Sequence, residues 1–170
     1  MENGGQIQTI EEQVVSLLQK KSFHISFAES CTGGLCSARL VSVASASAVF
    51  DAGVVTYANE AKIKYLGVKQ ETIESYGVVS ESVAGQMAEG VAKAQNAEVG
   101  VGVSGIAGPT GGTATKPVGM VCFGFYVDGE VTTVTKQFGD LGRNVVREAA
   151  TEFVYEKLYE LLGGKENETV

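Results

Sequence analysis

Residues 23–34 read FHISFAESCTGG and join a short apolar segment to a pair of glycines. The apolar run predicts a buried strand over residues 23–28, and the glycines mark a turn before a helix that is predicted to begin at Leu35. Ser30 stands at the junction, where its hydroxyl would be exposed at the rim of a sheet. The backbone amides that follow it, together with the helix N-terminus, favour negative charge, either a developing oxyanion or a bound phosphate.

A reactive serine needs a base, and the chain contains one histidine, His24. His24 lies on the same predicted strand as Ser30 and six residues before it. At ~3.3 Å per strand residue, the two residues would be more than about 13 Å apart, which is beyond hydrogen-bond reach. The base is therefore expected to be a lysine or a tyrosine. We interpret His24 as a hydrogen-bonded residue in the core or at its edge.

The chain has 170 residues, of which 44% are hydrophobic, and this suits one domain with a sizeable core. A net charge of −7 without a basic run argues against nucleic acid and anionic membranes as partners. Residues 1–5 lack the features of a signal peptide, and no apolar stretch is long enough to span a bilayer, so we expect a cytoplasmic protein. We place the domain at residues 9–162, between a flexible segment at residues 1–8 and a polar tail at residues 163–170.

The three cysteines, Cys31, Cys36 and Cys122, form neither an even set for disulfides nor a Cys-x-x-Cys pair. Since the chain has one histidine and scattered carboxylates, no cluster has the spacing of metal ligands. The sequence therefore predicts free thiols, no bound metal and no cofactor.

Hydrophobic periodicity and end signals divide the rest of the chain into alternating helices and strands. Thr9 and Glu12 have the spacing of a capping box, which predicts a helix from there to Lys21. Asp128-Gly129 is a hairpin signal between two apolar segments. Further helices are predicted at residues 35–43, from a cap at Asn59, at residues 80–96 and at residues 144–162. Further strands are predicted at residues 52–57, 99–103, 118–127 and 130–138.

This order of elements predicts a three-layer α/β/α sandwich. Its sheet would be mixed and mostly parallel, with about five strands, one of them antiparallel and supplied by the hairpin. In such sheets ligands bind outside the carboxyl ends of the strands. Three of those ends carry polar or glycine-rich segments, at residues 30–34, 57–62 and 104–112. We expect these segments to form one site.

Ordered blocks of this sequence resemble the CinA C-terminal domain family, the nicotinamide mononucleotide (NMN) deamidases. The blocks are AESCTGG at residues 28–34, VTYANEAK at residues 55–62, GVVS at residues 77–80, and SGIAGP at residues 104–109 with GG at residues 111–112 and KPVG at residues 116–119. The resemblance spans roughly residues 9 to 162. It implies a three-layer fold and hydrolysis of NMN, a small-molecule nucleotide substrate, to nicotinic acid mononucleotide and ammonia.

The resemblance also implies a catalytic set. Ser30 would be the nucleophile, Lys62 the base, and Tyr57 a third residue that orients Lys62 or stacks on the pyridine ring. For Lys62 to act as a base, its pKa would have to fall from ~10.4 towards neutrality. The residues that we expect to bind the substrate are Cys31, Thr32, Gly33, Gly34, Asn59, Ser104, Gly105, Gly108, Thr110, Gly111, Arg143 and Arg147.

The residues alone also allow other interpretations of these side chains. Without the motif, Lys62 would be an exposed residue in the first turn of a helix, and Ser30 could merely cap the next helix. Cys31 is a rival nucleophile, because a helix N-terminus lowers the pKa of a thiol. Tyr57 could be only a residue at the edge of the core.

Two departures from the family pattern affect the substrate pocket. Residues 120–122, Met-Val-Cys, stand where threonine and an aromatic residue are more usual, so the packing around a substrate is open. The segment at residues 139–143 is slightly longer than usual, so either Arg143 or Arg147 takes the place of the family's arginine. Together with Lys116, these arginines could neutralise a phosphate.

Two functions of different classes remain. The first is the amidohydrolase, and the second is a non-catalytic nucleotide- or partner-binding module with the same fold, as the family's link with competence and DNA damage suggests. The presence of Ser30, Tyr57 and Lys62 favours the enzyme. We also expect a homo-oligomer of two or more copies. Many relatives carry a large N-terminal domain with a separate activity, which the resemblance does not imply for this chain.

Overall fold

The computed structural model describes residues 7–164, and most of the predicted flexible segment and polar tail lie outside this range. Within it the chain forms six α-helices, five strands and one 3₁₀ turn at Ala46–Ala48. The helices are α1 (Ile10–Lys21), α2 (Leu35–Val41), α3 (Asn59–Leu66), α4 (Gln70–Tyr76), α5 (Glu81–Gln95) and α6 (Arg143–Leu161). The strands are β1 (Ile25–Glu29), β2 (Phe50–Val55), β3 (Val99–Gly105), β4 (Met120–Val127) and β5 (Glu130–Gln137).

The five strands form one sheet in the order β2-β1-β3-β4-β5. Strand β1 pairs in parallel with both β2 and β3, whereas β4 runs antiparallel to β3 and to β5. β4 is therefore the one strand of this sheet that runs antiparallel to the others, and the hairpin at Asp128-Gly129 connects it to β5. The predicted mixed, mostly parallel sheet is confirmed.

Helices cover both faces of the sheet, as a three-layer sandwich requires. α1, α2 and α6 pack on one face, and α3, α4 and α5 pack together on the other. The two sides of strand β3 contact different helix layers. Its alternating valines lie in the main core, whereas Gly102 faces α5. A Cβ atom at Gly102 would lie 2.3 Å from the carbonyl oxygen of Ala84 in α5. The glycine thus lets α5 pack directly on the strand backbone.

Most differences from the predicted elements lie at their ends, where a shift of one or two residues is common. The capping box of Thr9 and Glu12 is present, and Ser80 caps α5. The prediction that Asn59 caps α3 is wrong, because Ala58 occupies the cap position and no side chain caps it. The sequence pattern does not predict helix α4. It has seven residues, none of them buried, so no apolar periodicity marks it.

His24 precedes β1 and lies at the end of that strand opposite to Ser30. Its side chain is 48% exposed, and its Nδ1 is 2.8 Å from Oδ1 of Asp51. His24 is hydrogen-bonded, as expected, and of the two expected places, the core or its edge, it takes the second, at the amino end of the inner strand β1. None of the helices within residues 7–164 has the length and apolarity needed to cross a membrane.

Candidate active site

A cavity of about 390 Å³ opens at the carboxyl ends of β1 and β3. This volume lies within the range of about 300–1,000 Å³ that is usual for small-molecule sites. Glu29 at the end of β1 pairs with Val55 of β2 and with Val103 of β3, so the segments that follow these strands leave the sheet at one edge. All three segments expected to meet contribute residues to the cavity.

Ser30 and Lys62 are in direct contact in this cavity. Ser30 follows β1, and its backbone N–H donates to the carbonyl oxygen of Val103 at 3.0 Å. Lys62 lies in the first turn of α3, and its Nζ is 3.0 Å from Oγ of Ser30. Only 1% of Lys62 is exposed, so the interpretation of Lys62 as an exposed residue is wrong.

The burial of Lys62 weakens the affinity of its amine for a proton. Burial lowers the pKa of Lys62 from its ordinary value of 10.5, against a smaller opposing influence of Cys31. Its Nζ donates to two backbone carbonyl oxygens, those of Thr56 at 2.6 Å and Tyr57 at 3.2 Å. A neutral amine has two N–H bonds and one lone pair. As an ammonium, Lys62 donates its third N–H to Ser30 Oγ. As a neutral amine with its two N–H bonds on the carbonyls, it would turn its lone pair towards Ser30 Oγ, as proton abstraction requires.

Cys31, the rival nucleophile, is in an environment that suppresses its reactivity. The residue is 5% exposed, and burial raises the pKa of its thiol to about 11, although Arg147 and Lys62 act in the opposite direction. The thiol is therefore protonated near neutral pH, when a thiolate would be needed for attack. The expectation of a lowered pKa at this position is not met.

The side chain of Glu29, the last residue of β1, binds at the N-terminus of α2. Its fully buried carboxylate accepts hydrogen bonds from the backbone N–H of Cys36 at 2.8 Å and of Ser37 at 3.1 Å, and from the Ser37 hydroxyl at 2.8 Å. Gly34 holds the N-cap position with a φ of 104° and has no side chain to make such bonds. The first-turn amides of α2 are thus already paired with a carboxylate of the chain itself. A substrate anion or an oxyanion would have to bind elsewhere.

The two arginines of α6 have different surroundings. The Arg143 guanidinium lines the cavity and donates to the carbonyl oxygen of Gly108 and to the Tyr57 hydroxyl, both at 2.8 Å. Arg147 lies one turn further along and donates to the backbone carbonyl oxygens of Cys31 at 2.9 Å and Thr32 at 3.1 Å. Arg143 is therefore accessible to a ligand, whereas Arg147 supports the turn that carries Ser30.

The charge of the cavity is positive. Lys116 and Arg143 line it in addition to Lys62, whose pKa is lowered, and none of the described lining residues is Asp or Glu. The whole chain carries a net charge of −7, so this is a local exception. Such a concentration of one sign of charge in a cleft favours an anionic ligand.

Most of the expected site residues meet in the cavity, but not all of them do. Those that line it are Ser30, Cys31, Tyr57, Asn59, Lys62, Ser104, Gly105, Gly108, Thr110, Gly111 and Arg143. The others, Thr32, Gly33, Gly34 and Arg147, do not line it, and their assignment to substrate binding stays a prediction. Lining residues outside the expected substrate-binding set are Gly77, Val78, Val79, Ile106, Ala107, Thr113 and Lys116, of which Lys116 was named only as a charge that could neutralise a phosphate. All of these except Thr113 fall in the sequence blocks that resemble the CinA C-terminal domain family, and those blocks could have identified them.

Three cysteines of the described chain, Cys31, Cys36 and Cys122, are free and buried. Within residues 7–164, no three His, Cys, Asp or Glu side chains are grouped so that they could hold a metal ion. The described lining of the cavity offers hydroxyl, amine, guanidinium and backbone groups, together with the Cys31 thiol and the Asn59 carboxamide.

A family model described as the CinA C-terminal domain matches residues 7–162. This chain belongs to the CinA C-terminal domain family. Among curated CinA relatives, a CinA-like protein of Kosmotoga olearia is 49% identical over 146 residues, which are 86% of this chain and 35% of that protein. A CinA-like protein of Dictyoglomus thermophilum is 54% identical over 124 residues, 73% of this chain and 30% of that protein. The chain spans about a third of the length of these curated relatives.

Solved CinA structures share the fold over almost the whole chain. The competence/damage inducible protein CihA from Agrobacterium tumefaciens has a TM-score of 0.85 and 40% identity, covering 92% of this chain and 98% of that one. A CinA superfamily protein from Klebsiella pneumoniae has a TM-score of 0.85 and 32% identity, covering 93% of this chain and 100% of that one. The three-layer sandwich described above is thus the CinA fold.

Proposed function

We propose that this chain is an amidohydrolase that converts NMN to nicotinic acid mononucleotide and ammonia. The observation that carries the proposal is the 3.0 Å contact between Lys62 Nζ and Ser30 Oγ at the wall of a cavity. A buried lysine amine in contact with a serine hydroxyl is the arrangement that a serine nucleophile with a lysine base requires. The resemblance of the motif blocks to the NMN deamidases suggests the substrate, and the positive cavity suits its phosphate.

In the first step, Ser30 Oγ attacks the carboxamide carbon of the substrate while Lys62 Nζ takes the hydroxyl proton. An Oγ–C bond forms, and the carbonyl oxygen becomes an oxyanion. Because Glu29 already uses the first-turn amides of α2, N–H groups of the cavity wall must stabilise that oxyanion.

In the second step, Lys62 returns the proton to the amide nitrogen, the C–N bond breaks and ammonia leaves. The acyl group stays on Ser30 as an ester. Water then attacks this ester with Lys62 again as the base, and the proton finally returns to Ser30 Oγ. One water is consumed and one ammonia is released for each carboxylate formed, and the enzyme is regenerated.

A non-catalytic binding module would explain the positive cavity but not the Ser30–Lys62 pair. Lys62 is buried and forms no ion pair within residues 7–164, which costs free energy that binding alone does not require. The pair therefore favours catalysis over binding alone.

The purified chain is expected to release ammonia from NMN and to form nicotinic acid mononucleotide in a 1:1 ratio. A coupled ammonium assay and chromatography of the nucleotides measure the two products. One arm contains EDTA, and we expect the same rate there because the mechanism uses no metal. Tight NMN binding without product would instead support the binding module, and loss of activity in EDTA that one metal restores would contradict the mechanism.

Substitution of each arginine by alanine is expected to separate their roles. Arg143→Ala should lower kcat/KM for NMN by about 10- to 100-fold and change that for nicotinamide riboside, which lacks the phosphate, by less than about threefold. Arg147→Ala should lower both to a similar extent, because it supports the turn of Ser30. Steady-state kinetics with both substrates measure this. Equal losses in Arg143→Ala would remove its phosphate role.

A further inference from the structure

Lys116 joins two walls of the cavity. It lies in the segment between β3 and β4, and its Nζ donates to the backbone carbonyl oxygens of Tyr76 and of Val79, the latter at 2.7 Å. Tyr76 is the last residue of α4, and Val79 lies in the connection from α4 to α5. Gly77 leaves the room for this contact, since a Cβ atom there would lie 2.6 Å from Lys116 Nζ. The ammonium is thus held in place at the cavity.

The positive charge of Lys116 is not neutralised by the described part of the chain. Its two acceptors are uncharged carbonyls, and the ion pairs formed within residues 7–164 include neither Lys116 nor Arg143. An ammonium has three N–H donors, so one donor of Lys116 is available to a ligand. A partly buried cation without a counter-ion is stabilised when an anion binds next to it.

The number of charges in the cavity matches a phosphate monoester. Such a group carries about −1.5 to −2 charges at neutral pH, more than one cation compensates. Lys62 must be uncharged to act as a base, so it does not contribute. The α2 N-terminus, another place for an anion, is occupied by Glu29. Lys116 and Arg143 are the two positive charges that remain among the described lining residues.

We propose that Lys116 binds the phosphate of the substrate and, with Arg143, selects a phosphomonoester over the free riboside. This assignment rests on the proposed function, and it makes Lys116 a specificity-determining residue. It also places the phosphate at the wall formed by the β3–β4 segment and the α4–α5 connection, while the reacting amide lies at Ser30.

The test compares Lys116→Met with wild type on two substrates. Lys116→Met is expected to lower kcat/KM for NMN by about 10- to 100-fold, mainly through KM, and to change that for nicotinamide riboside by less than about threefold. Inorganic phosphate should inhibit the wild type competitively and the variant at least about fivefold more weakly. If Lys116 only held the two walls together, both substrates would lose activity equally, and that result overturns the proposal.

A matched control is Lys93→Met, which removes an exposed lysine that does not line the cavity. It should leave both substrates and phosphate inhibition unchanged. Calorimetric binding of NMN and the riboside separates this inference from the proposed function. If the wild type releases no ammonia but Lys116→Met still weakens binding of NMN alone, the amidohydrolase is wrong and the phosphate site stands. Equal binding of NMN by wild type and variant overturns the site.

Discussion

Replacing Ser30 with alanine is expected to lower kcat for NMN by about 1,000-fold or more while NMN still binds. The hydroxyl is the atom group that forms the acyl-enzyme, and its side-chain hydrogen bond is to Lys62, so its removal takes away chemistry and little packing. Ammonia release in single- and multiple-turnover assays measures the loss, and calorimetry with NMN measures the binding. Thermal unfolding should show a change of only a few degrees.

The neighbouring residue provides the matched control for this variant. Cys31→Ala removes the rival nucleophile, whose burial keeps its thiol protonated. We expect kcat within a few-fold of wild type. Should Ser30→Ala keep activity within a few-fold while Cys31→Ala abolishes it, the nucleophile would be Cys31 and the assignment made here would be wrong.

The parts of the fold that follow from the sequence are those set by local patterns. Thr9 and Glu12 make a capping box because their spacing alone brings side chain and backbone together. Asp128-Gly129 forms its hairpin because the pair tolerates the positive φ values, 47° and 93°, that the turn needs. Once the strand order is known, the convergence of strand ends follows from topology, which is why most of the cavity could be expected.

The parts that could not be predicted depend on contacts between distant segments. Glu29 reaches the first-turn amides of α2 only because the glycine turn folds the helix back over the end of β1. The different surroundings of Arg143 and Arg147 depend on where α6 crosses the turn of Ser30. Lys116 is held by two carbonyls that lie 40 and 37 residues away in sequence. No spacing rule connects such pairs, so their roles required the structure.

Replacing Lys62 with methionine is expected to lower kcat by about 1,000-fold or more at every pH, because the base is removed while the buried volume is nearly kept. In the wild type, burial lowers the pKa of Lys62, so the neutral amine forms at a lower pH than in a free lysine. The protonated amine has no lone pair. Therefore kcat/KM should fall as pH drops below that lowered pKa, and the Lys62→Met variant should lack this ionisation in its residual activity.

Three further variants test whether Lys62 acts as the base. Lys62→Arg should stay inactive, since a guanidinium remains charged and cannot accept the proton of Ser30, whereas the exposed neighbour in Lys64→Met should be fully active. Residues that act as one unit lose activity non-additively. The double variant Ser30→Ala/Lys62→Met should therefore be no slower than either single variant. Recovery of activity by arginine, or a double variant whose losses multiply, would show that Lys62 contributes its charge and does not act as the base of Ser30.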